Sequence, residues 1–196
     1  MTEIQTAMLP NEIRAIRQLF QEYADSLDFK LDFQDFREEL ETLPGKYAPP
    51  LGAILVAKEN GETVGCVAVR PLGVATCEMK RLYVKPSHRG KRIGRDLALA
   101  IIEEAKKIGY EVMRLDTVVA MKEASALYRA LGFQPIEAYC YNPLPGAMYF
   151  ELKLRVESSE HRARSRELQQ LGDTVFLFQN LGGAFDVFFD DGSRSL

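Results

Sequence analysis

The amino-acid sequence predicts an α+β fold, in which helices flank a central and mostly antiparallel sheet. Two apolar runs, residues 53–58 and 63–70, are joined by Glu59-Asn60-Gly61, and Asn-Gly between such runs is a strong β-hairpin signal. A strand, a long amphipathic helix and another strand then follow one another, which is the order of a parallel crossover. An antiparallel meander that leads into one crossover gives a sheet with mixed strand directions.

The N-terminal residues predict a short edge strand over residues 3–9 and then two helices. Pro10 suits the first turn of the first helix, and apolar side chains follow at helical spacing: Ile13, Ile16, Leu19, Phe20 and Tyr23. Asp32 is the expected N-cap of the second helix, which Pro44-Gly45 closes.

After the hairpin, the chain turns at residues 71–73 into a strand over 74–84 and then into a long helix. The apolar positions of this helix recur three and four residues apart: Ile93, Leu97, Ile101, Ala105 and Ile108. Gly109 ends it, a strand covers 111–117, and a further helix covers 121–131. Two more strands, 133–141 and 147–154, lie on either side of the turn at 142–146.

Composition limits the classes of function. The chain has 196 residues, 46% of them hydrophobic and 27% charged, which suffices for one well-packed domain with some residues left over. A net charge of −3 argues against a nucleic-acid partner held by bulk phosphate attraction. The apolar runs are too short to span a bilayer and the N-terminus is unlike a signal peptide, so we expect a cytoplasmic protein with no membrane partner.

The cysteines and histidines give no metal-site pattern. Cys66, Cys77 and Cys140 are odd in number and widely spaced, which is typical of free thiols in a reducing compartment. Neither His88 nor His161 lies near a cysteine or the other histidine, so we expect no metal.

A basic, glycine-containing loop between a strand and a helix is the strongest functional signal. The strand over residues 78–84 stops at Pro86, and residues 87–94 then carry two glycines and three cations just before the long helix. The first N–H groups of a helix have no partner within it, and glycine lets the backbone approach a phosphate closely. The loop therefore indicates an anion site, with an ordinary solvated turn as the alternative.

This loop resembles the signature of the GNAT superfamily of N-acetyltransferases, Gln/Arg-x-x-Gly-x-Gly/Ala. The residues that fit run from Arg89 to Gly94, with Arg92 where the family usually has glycine. A second segment, from Ala124 to Phe133, is similar to the family's Asn-x-x-Ala-x-x-Leu-Tyr-x-x-Leu-Gly-Phe, with Met121 in the asparagine position. The resemblance covers roughly residues 3–154.

The resemblance implies a GNAT fold with splayed central strands and a site for acetyl-CoA. Backbone N–H groups of the first splayed strand would bind the pantetheine and polarise the thioester carbonyl, and the basic loop would hold the pyrophosphate. Arg92 should still allow binding if its backbone angles are ordinary. The residues expected to contact acetyl-CoA are Leu82, Tyr83, Val84, Arg89, Gly90, Lys91, Arg92, Ile93, Gly94 and Arg95.

Two side chains receive catalytic roles from the resemblance. Tyr128 matches the tyrosine that protonates the departing thiolate; the alternative is a core aromatic residue. Glu78 is the expected base or acceptor contact, on the same strand face as Lys80, Leu82 and Val84 by two-residue alternation. The alternative is an ion pair with Lys80 or Arg81 at an exposed strand end. Asp116 and Glu151 are weaker candidates for the base.

The implied reaction is acetyl transfer to a primary amine of a small molecule or peptide, by direct attack in a ternary complex. A non-catalytic acyl-CoA-binding or regulatory module is the alternative, because Arg92 and Met121 depart from the motifs. Expected walls of the acceptor site are Phe33, Tyr47, Tyr139, Tyr141 and the turn at 142–146.

The residues beyond the expected acetyltransferase domain (1–154) form a C-terminal extension, residues 155–196. Its charged first part predicts a helix, and its phenylalanine-rich end alternates like a hairpin. An isolated hairpin is marginally stable in water, so the extension should dock on the domain, be disordered or pair with a second subunit, as in a homodimer.

Overall fold

Seven strands form one sheet in the computed structural model, which describes residues 1–8, 10–31 and 35–154. The strands are β1 (Glu3–Thr6), β2 (Ala53–Glu59), β3 (Glu62–Pro71), β4 (Thr76–Val84), β5 (Val112–Val118), β6 (Gln134–Ile136) and β7 (Ala147–Lys153). Their spatial order is β1-β2-β3-β4-β5-β7-β6. The described helices are α1 (Ile13–Asp25), α2 (Phe36–Thr42), α3 (Ile93–Ile108) and α4 (Lys122–Ala130), with short 3-10 turns at Gly45–Tyr47 and Pro86–His88.

The strand directions are mixed as the sequence predicts. Only the β4–β5 pair is parallel among the described strands, and α3 is its crossover. The β2–β3 hairpin turns through Asn60 and Gly61, whose φ angles are 53° and 81°. Two consecutive positive φ values are those of a type I′ turn, which matches the twist of the flanking strands.

Helices cover both faces of the sheet and create two apolar clusters. On one face, α3 buries Leu97, Ala98 and Ile101 against strand residues such as Val67 and Met113. On the other face, α1 and the segment around Tyr47 bury Ile16 and Phe20 against Cys66 and Ala68. Each fully buried leucine or isoleucine contributes about 1.5–3 kcal/mol to folding. The sheet is thus packed on both faces, and a site between its central strands would be held by this packing.

The central strands β4 and β5 splay apart, which confirms the predicted geometry. They are paired only from Thr76–Glu78 to Val112–Arg114. Both strands nevertheless continue, β4 to Val84 and β5 to Val118. A gap therefore opens between them toward their C-terminal ends.

A β-bulge in β4 changes which side chains share a face. Cys66 pairs with Tyr83 and Ala68 with Lys80, so Arg81 and Leu82 together oppose one β3 residue. Arg81 has a φ of 57°, the left-handed conformation that such a bulge uses. After the bulge, Leu82 packs with the α3 cluster, whereas Lys80 lies on the opposite face from Met79 of that cluster. The prediction that Glu78 and Lys80 share a face with Leu82 and Val84 is wrong, because the extra residue reverses the alternation.

Several predicted boundaries differ from those observed. The helix α2 begins at Phe36 with Asp35 as its N-cap, not Asp32. The strand predicted over 133–141 is reduced to β6, and residues 137–146 form an irregular segment that returns to β7. Phe33 and the predictions for residues 155–196 lie outside the described residues.

None of the helices in the described part of the chain is both long and apolar enough to cross a bilayer.

Candidate active site

The second part of the basic loop, residues 89–94, combines two left-handed residues with the start of α3. Gly90 and Arg92 have φ angles of 79° and 65°. The first hydrogen bond within the helix runs from the Asp96 N–H to the Arg92 carbonyl. The N–H groups of residues 93–95 come before this bond and have no partner within the helix. Alternating conformations of this kind, ahead of a helix, make anion-binding concavities from main-chain N–H groups.

The backbone of Arg92 is not ordinary, so the condition under which this residue was expected to allow binding is not met. This residue sits in the left-handed region that glycine occupies without strain, where a side chain costs about 1 kcal/mol or more. The side chain itself is exposed. The arginine therefore adopts the left-handed turn that glycine would form most easily.

The cations around the basic loop fall into two groups. Lys91 donates to Glu59 (2.7 Å), and this hydrogen bond holds the pKa of Glu59 below its ordinary value. Arg89 donates to the Val84 carbonyl (3.2 Å) and lies 5.9 Å from the centre of the Tyr83 ring. Arg92 and Arg95 are exposed, and their side chains have no ion-pair partner within the described residues. These two arginines are thus the ones most available to an incoming anion.

A cavity opens where β4 and β5 diverge. Its volume is about 80 Å³, and it reaches from the bulge in β4 to α4. Its apolar wall includes Phe29, Leu31, Leu82, Val118, Met121 and Leu144, and its polar wall includes Tyr23, Lys80, Arg81, Asp116, Tyr128 and Asn142. The predicted cofactor strand and the predicted catalytic tyrosine therefore line the same space.

Tyr128 packs in the hydrophobic core and also lines the cavity. Its residue is 8% exposed, and its ring meets Phe133 edge to face with centroids 5.9 Å apart. Burial raises the pKa of its hydroxyl, so the phenol is neutral and can donate a proton. That hydroxyl makes no hydrogen bond to any described residue. The ring belongs to the core, as the alternative interpretation held, while the residue lines the cavity.

Glu78 is buried and fully engaged, not placed at an exposed strand end. The residue is 1% exposed, and its Oε2 accepts hydrogen bonds from Arg70, with the Nε and the second guanidinium nitrogen both at 2.7 Å. Its Oε1 accepts a hydrogen bond from the Tyr139 hydroxyl at 2.8 Å and lies 3.8 Å from Lys80 Nζ. It does not line the cavity at the strand gap.

Asp116, on β5, is the carboxylate that does line this cavity. Its Oδ1 accepts a hydrogen bond from Lys80 Nζ and its Oδ2 one from Asn142 Nδ2, each at 2.9 Å. Burial opposes ionisation of Asp116, but the charge and hydrogen bond of Lys80 outweigh it, so the pKa lies below its ordinary value. Asp116 is therefore ionised at neutral pH.

Arg81 completes a buried ion-pair cluster, which we define as Glu39, Arg70, Glu78, Lys80, Arg81 and Asp116. Its guanidinium donates two hydrogen bonds to Glu39 of α2, at 2.7 and 2.8 Å, and lies over the Phe36 ring at 5.0 Å. The left-handed backbone of the bulge places Arg81 on this face. The cluster contains three cations and three carboxylates, so its formal charge is balanced.

The other residues predicted to form walls of the acceptor site differ in whether they line the cavity. Asn142 and Leu144, from the predicted turn, line the cavity, and Tyr139 closes over Glu78. Tyr141 is 78% exposed and lies outside the cavity lining. Tyr47 is buried and lines a separate, smaller cavity beside Arg70.

The face of the sheet that holds Glu78 and Asp116 does not favour binding of a metal ion. Ligand atoms of Glu78, Asp116 and Cys140 lie within 4.8 Å of one another. Both carboxylates, however, already pair with Arg70 or Lys80. Burial, with the neighbouring carboxylates, raises the pKa of the Cys140 thiol to about 11, which disfavours a thiolate ligand.

Comparison with known proteins decides which family this site represents. The sequence model of the acetyltransferase (GNAT) family matches residues 13–133, more than half of the chain. The chain belongs to the GNAT acetyltransferase family. An uncharacterized N-acetyltransferase from Schizosaccharomyces pombe is 41% identical over 153 residues, 77% of this chain and 94% of that protein.

Solved GNAT structures share the fold. A GNAT-family acetyltransferase from Staphylococcus aureus superposes with a TM-score of 0.64 at 18% identity, covering 79% of this chain and all of the other. The yncA protein of Salmonella typhimurium, solved with its cofactor acetyl-CoA, has a TM-score of 0.62 at 21% identity, covering 81% of this chain and 97% of the other. The predictions of a GNAT protein, of its fold and of an N-acetyltransferase are thus confirmed.

Proposed function

We propose that this GNAT protein transfers the acetyl group of acetyl-CoA to a primary amine of a small molecule or peptide, by direct attack within a ternary complex. One observation carries the proposal: the cavity between the splayed strands is lined by Leu82 of β4 and Tyr128 of α4 together. A strand edge with unpaired backbone groups and a neutral phenol are the two donors that thioester cleavage needs.

Acetyl-CoA would lie between the splayed strands with its pyrophosphate on the basic loop. The main-chain N–H groups at the start of α3 would bind the phosphates, with Arg92 and Arg95 as the nearest available cations. Toward the thioester, the backbone of residues 82–84 would bond the pantetheine. The yncA protein, which shares this fold, was solved with acetyl-CoA, and this supports acetyl-CoA as the cofactor.

The transfer itself requires one bond to form and one to break. The lone pair of the neutral amine attacks the carbonyl carbon, whose oxygen is polarised by a backbone N–H near Leu82. The carbon–sulfur bond then breaks, and the sulfur takes the proton of the Tyr128 hydroxyl. The proton lost by the amine is passed on so that Tyr128 is restored, leaving the N-acetyl product and CoA.

We assign acceptance of the amine proton to Asp116, through water. Asp116 is ionised and lines the cavity, whereas Glu78, the base expected from the sequence, does not line it. Glu78 would then act as a positioning residue that holds Arg70 and Tyr139. Glu151, the remaining candidate, pairs with Arg114 (2.9 Å) away from the cavity.

Direct attack is favoured over a covalent acetyl-cysteine intermediate. None of the three cysteines lines the cavity, and burial raises the pKa of each thiol. A neutral thiol is a poor nucleophile.

A CoA-release assay over a panel of primary amines, run beside calorimetric titration with CoA, tests the proposed function. We expect CoA binding together with amine-dependent release of free CoA. Binding without release on any amine would instead establish the alternative, a non-catalytic acyl-CoA-binding module.

A further inference from the structure

We infer that the acceptor is a free amino acid with an apolar side chain, whose carboxylate is bound by Lys80 while its amine reaches the thioester. This inference rests on the proposed function and names the substrate class of the same site. It comes from the hydrogen bonds of Lys80 and from the charge balance of the buried ion-pair cluster.

Lys80 has more hydrogen-bond donors than partners. Its side chain is 7% exposed, yet within the described residues Nζ makes one hydrogen bond, to Asp116 Oδ1 at 2.9 Å. The next carboxylate oxygen, Glu78 Oε1, lies 3.8 Å away, beyond hydrogen-bond length. An ammonium has three N–H donors, and buried donors in folded proteins are nearly always satisfied. An oxygen-bearing group of the ligand can supply the missing partner, since Lys80 lines the cavity.

Charge balance restricts what that ligand can be. The cluster already holds Arg70, Lys80 and Arg81 against Glu39, Glu78 and Asp116, so it is neutral as it stands. A simple alkylammonium would bury one unpaired positive charge here, and a dianion would bury excess negative charge, each at considerable cost. An amino acid enters as a zwitterion and adds no net charge, and its ammonium gives one proton through water to Asp116 before the neutral amine attacks.

The spacing along β4 suits a short acceptor. Lys80 lies two residues before Leu82, and the bulge at Arg81 brings them closer than the roughly 7 Å that two residues of a regular strand would span. The strand gap connects the face that holds Lys80 with the edge at Leu82. A carboxylate on Lys80 would therefore place an amine only a few bonds away near the thioester and near Asp116.

The remaining wall of the cavity indicates an apolar side chain on this acceptor. Phe29, Leu31 and Leu144 line it, so a leucine-like side chain can be buried there. Leucine, leucinamide and isoamylamine form a matched series of probes, because only leucine carries the carboxylate.

The test measures kcat/KM for acetylation of these three amines, each expressed per neutral amine to remove differences in amine pKa. We expect leucine to exceed leucinamide and isoamylamine by about tenfold or more, because a hydrogen bond to a charged group is worth at least that much. Lys80→Met should abolish the preference, and Lys80→Arg should keep part of it. Lys107→Met, on an exposed lysine at the end of α3, should leave the preference unchanged.

The outcomes separate the two proposals. Equal kcat/KM for all three amines in the wild-type protein would overturn the carboxylate inference and leave acetyl transfer intact. A preference for leucine that persists in a folded Lys80→Met protein would also overturn it. Absence of CoA release with every amine would overturn the proposed function and this inference together. Should Lys80→Met fail to fold, the wild-type series and Lys80→Arg still decide.

Discussion

The basic loop and the buried ion-pair cluster are two charged regions of the proposed reaction site, and they differ in exposure and in the groups that make their contacts. The loop is exposed, and its expected ligand contacts are main-chain N–H groups at the start of α3. The cluster is buried, and its contacts join side chains from α2, β3, β4 and β5. A site built from main-chain N–H groups tolerates substitution of its side chains, whereas a site built from side chains depends on each residue.

That difference explains why an arginine can stand in the loop where the family usually has glycine. The anion would be bound by N–H groups that every residue except proline carries, so the side chain matters mainly through backbone strain. In the cluster, removal of one member leaves an opposite charge buried without its partner. The predictions that follow test this contrast, from the largest expected effect to the smallest.

Glu39→Gln should destabilise the fold by about 3 kcal/mol or more, because Arg81 would lose its buried carboxylate. Glu62→Gln, which removes the exposed partner of Lys85 just before the basic loop, is the control and should change the unfolding midpoint little. Urea unfolding of both variants measures the contrast. Equal shifts in the two midpoints would show that the cluster is no more dependent on its side chains than the loop.

Tyr128→Phe should lower kcat by about 100-fold, because the departing thiolate loses its proton donor, with CoA affinity unchanged. Steady-state CoA release and calorimetric titration measure the two quantities. Tyr141→Phe is the matched control, since its ring is exposed and outside the cavity, and its kcat should equal that of the wild type. An unaltered rate in Tyr128→Phe would remove Tyr128 from the mechanism.

Arg92→Gly should be more stable than Arg92→Ala by about 1 kcal/mol, because only glycine adopts a φ of 65° without strain. Both substitutions remove the same charge, so their difference isolates the backbone. Thermal unfolding measures it. Equal stability of the two variants would mean that residue 92 is not held in the left-handed conformation.

Acidification should weaken the cluster through Asp116, whose pKa is lower in the folded protein than its ordinary 3.8. The ionised form is favoured by folding, so its stabilisation is complete above pH 3.8 and is lost as the pH falls through the folded-state pKa. Asp116→Asn should therefore have a shallower dependence of the free energy of unfolding on pH in this range, by less than about 1.4 kcal/mol per pH unit. Superimposable slopes would contradict the assignment.

Local signals predict the cofactor side of the molecule well. The Asn60-Gly61 hairpin, the helical spacing of Ile93, Leu97 and Ile101, and the glycine ahead of α3 each reflect a preference that acts within a few residues. The fold class followed from these signals, and the splayed strands followed from the family resemblance. The proposed role of Tyr128 comes from the resemblance of a contiguous motif and stays a prediction.

The acceptor side could not be predicted because long-range packing creates it. The bulge at Arg81 carries no sequence signal, since a left-handed arginine is set by its surroundings, and this single extra residue reversed the expected face of Leu82. Arg70, Arg81 and Asn142 come together only in the folded chain. The sequence predicts a strand through residues 137–141, which are irregular in the fold, because Tyr139 and Tyr141 have strand-like propensity without a strand to pair with.

A crystal structure with bound CoA tests the central claim most directly. We expect the pyrophosphate oxygens within hydrogen-bond distance of main-chain nitrogens between Gly90 and Arg95, and the thiol beside the Tyr128 hydroxyl in the gap between β4 and β5. Phosphates seated elsewhere, or a thiol outside that gap, would contradict the proposed site.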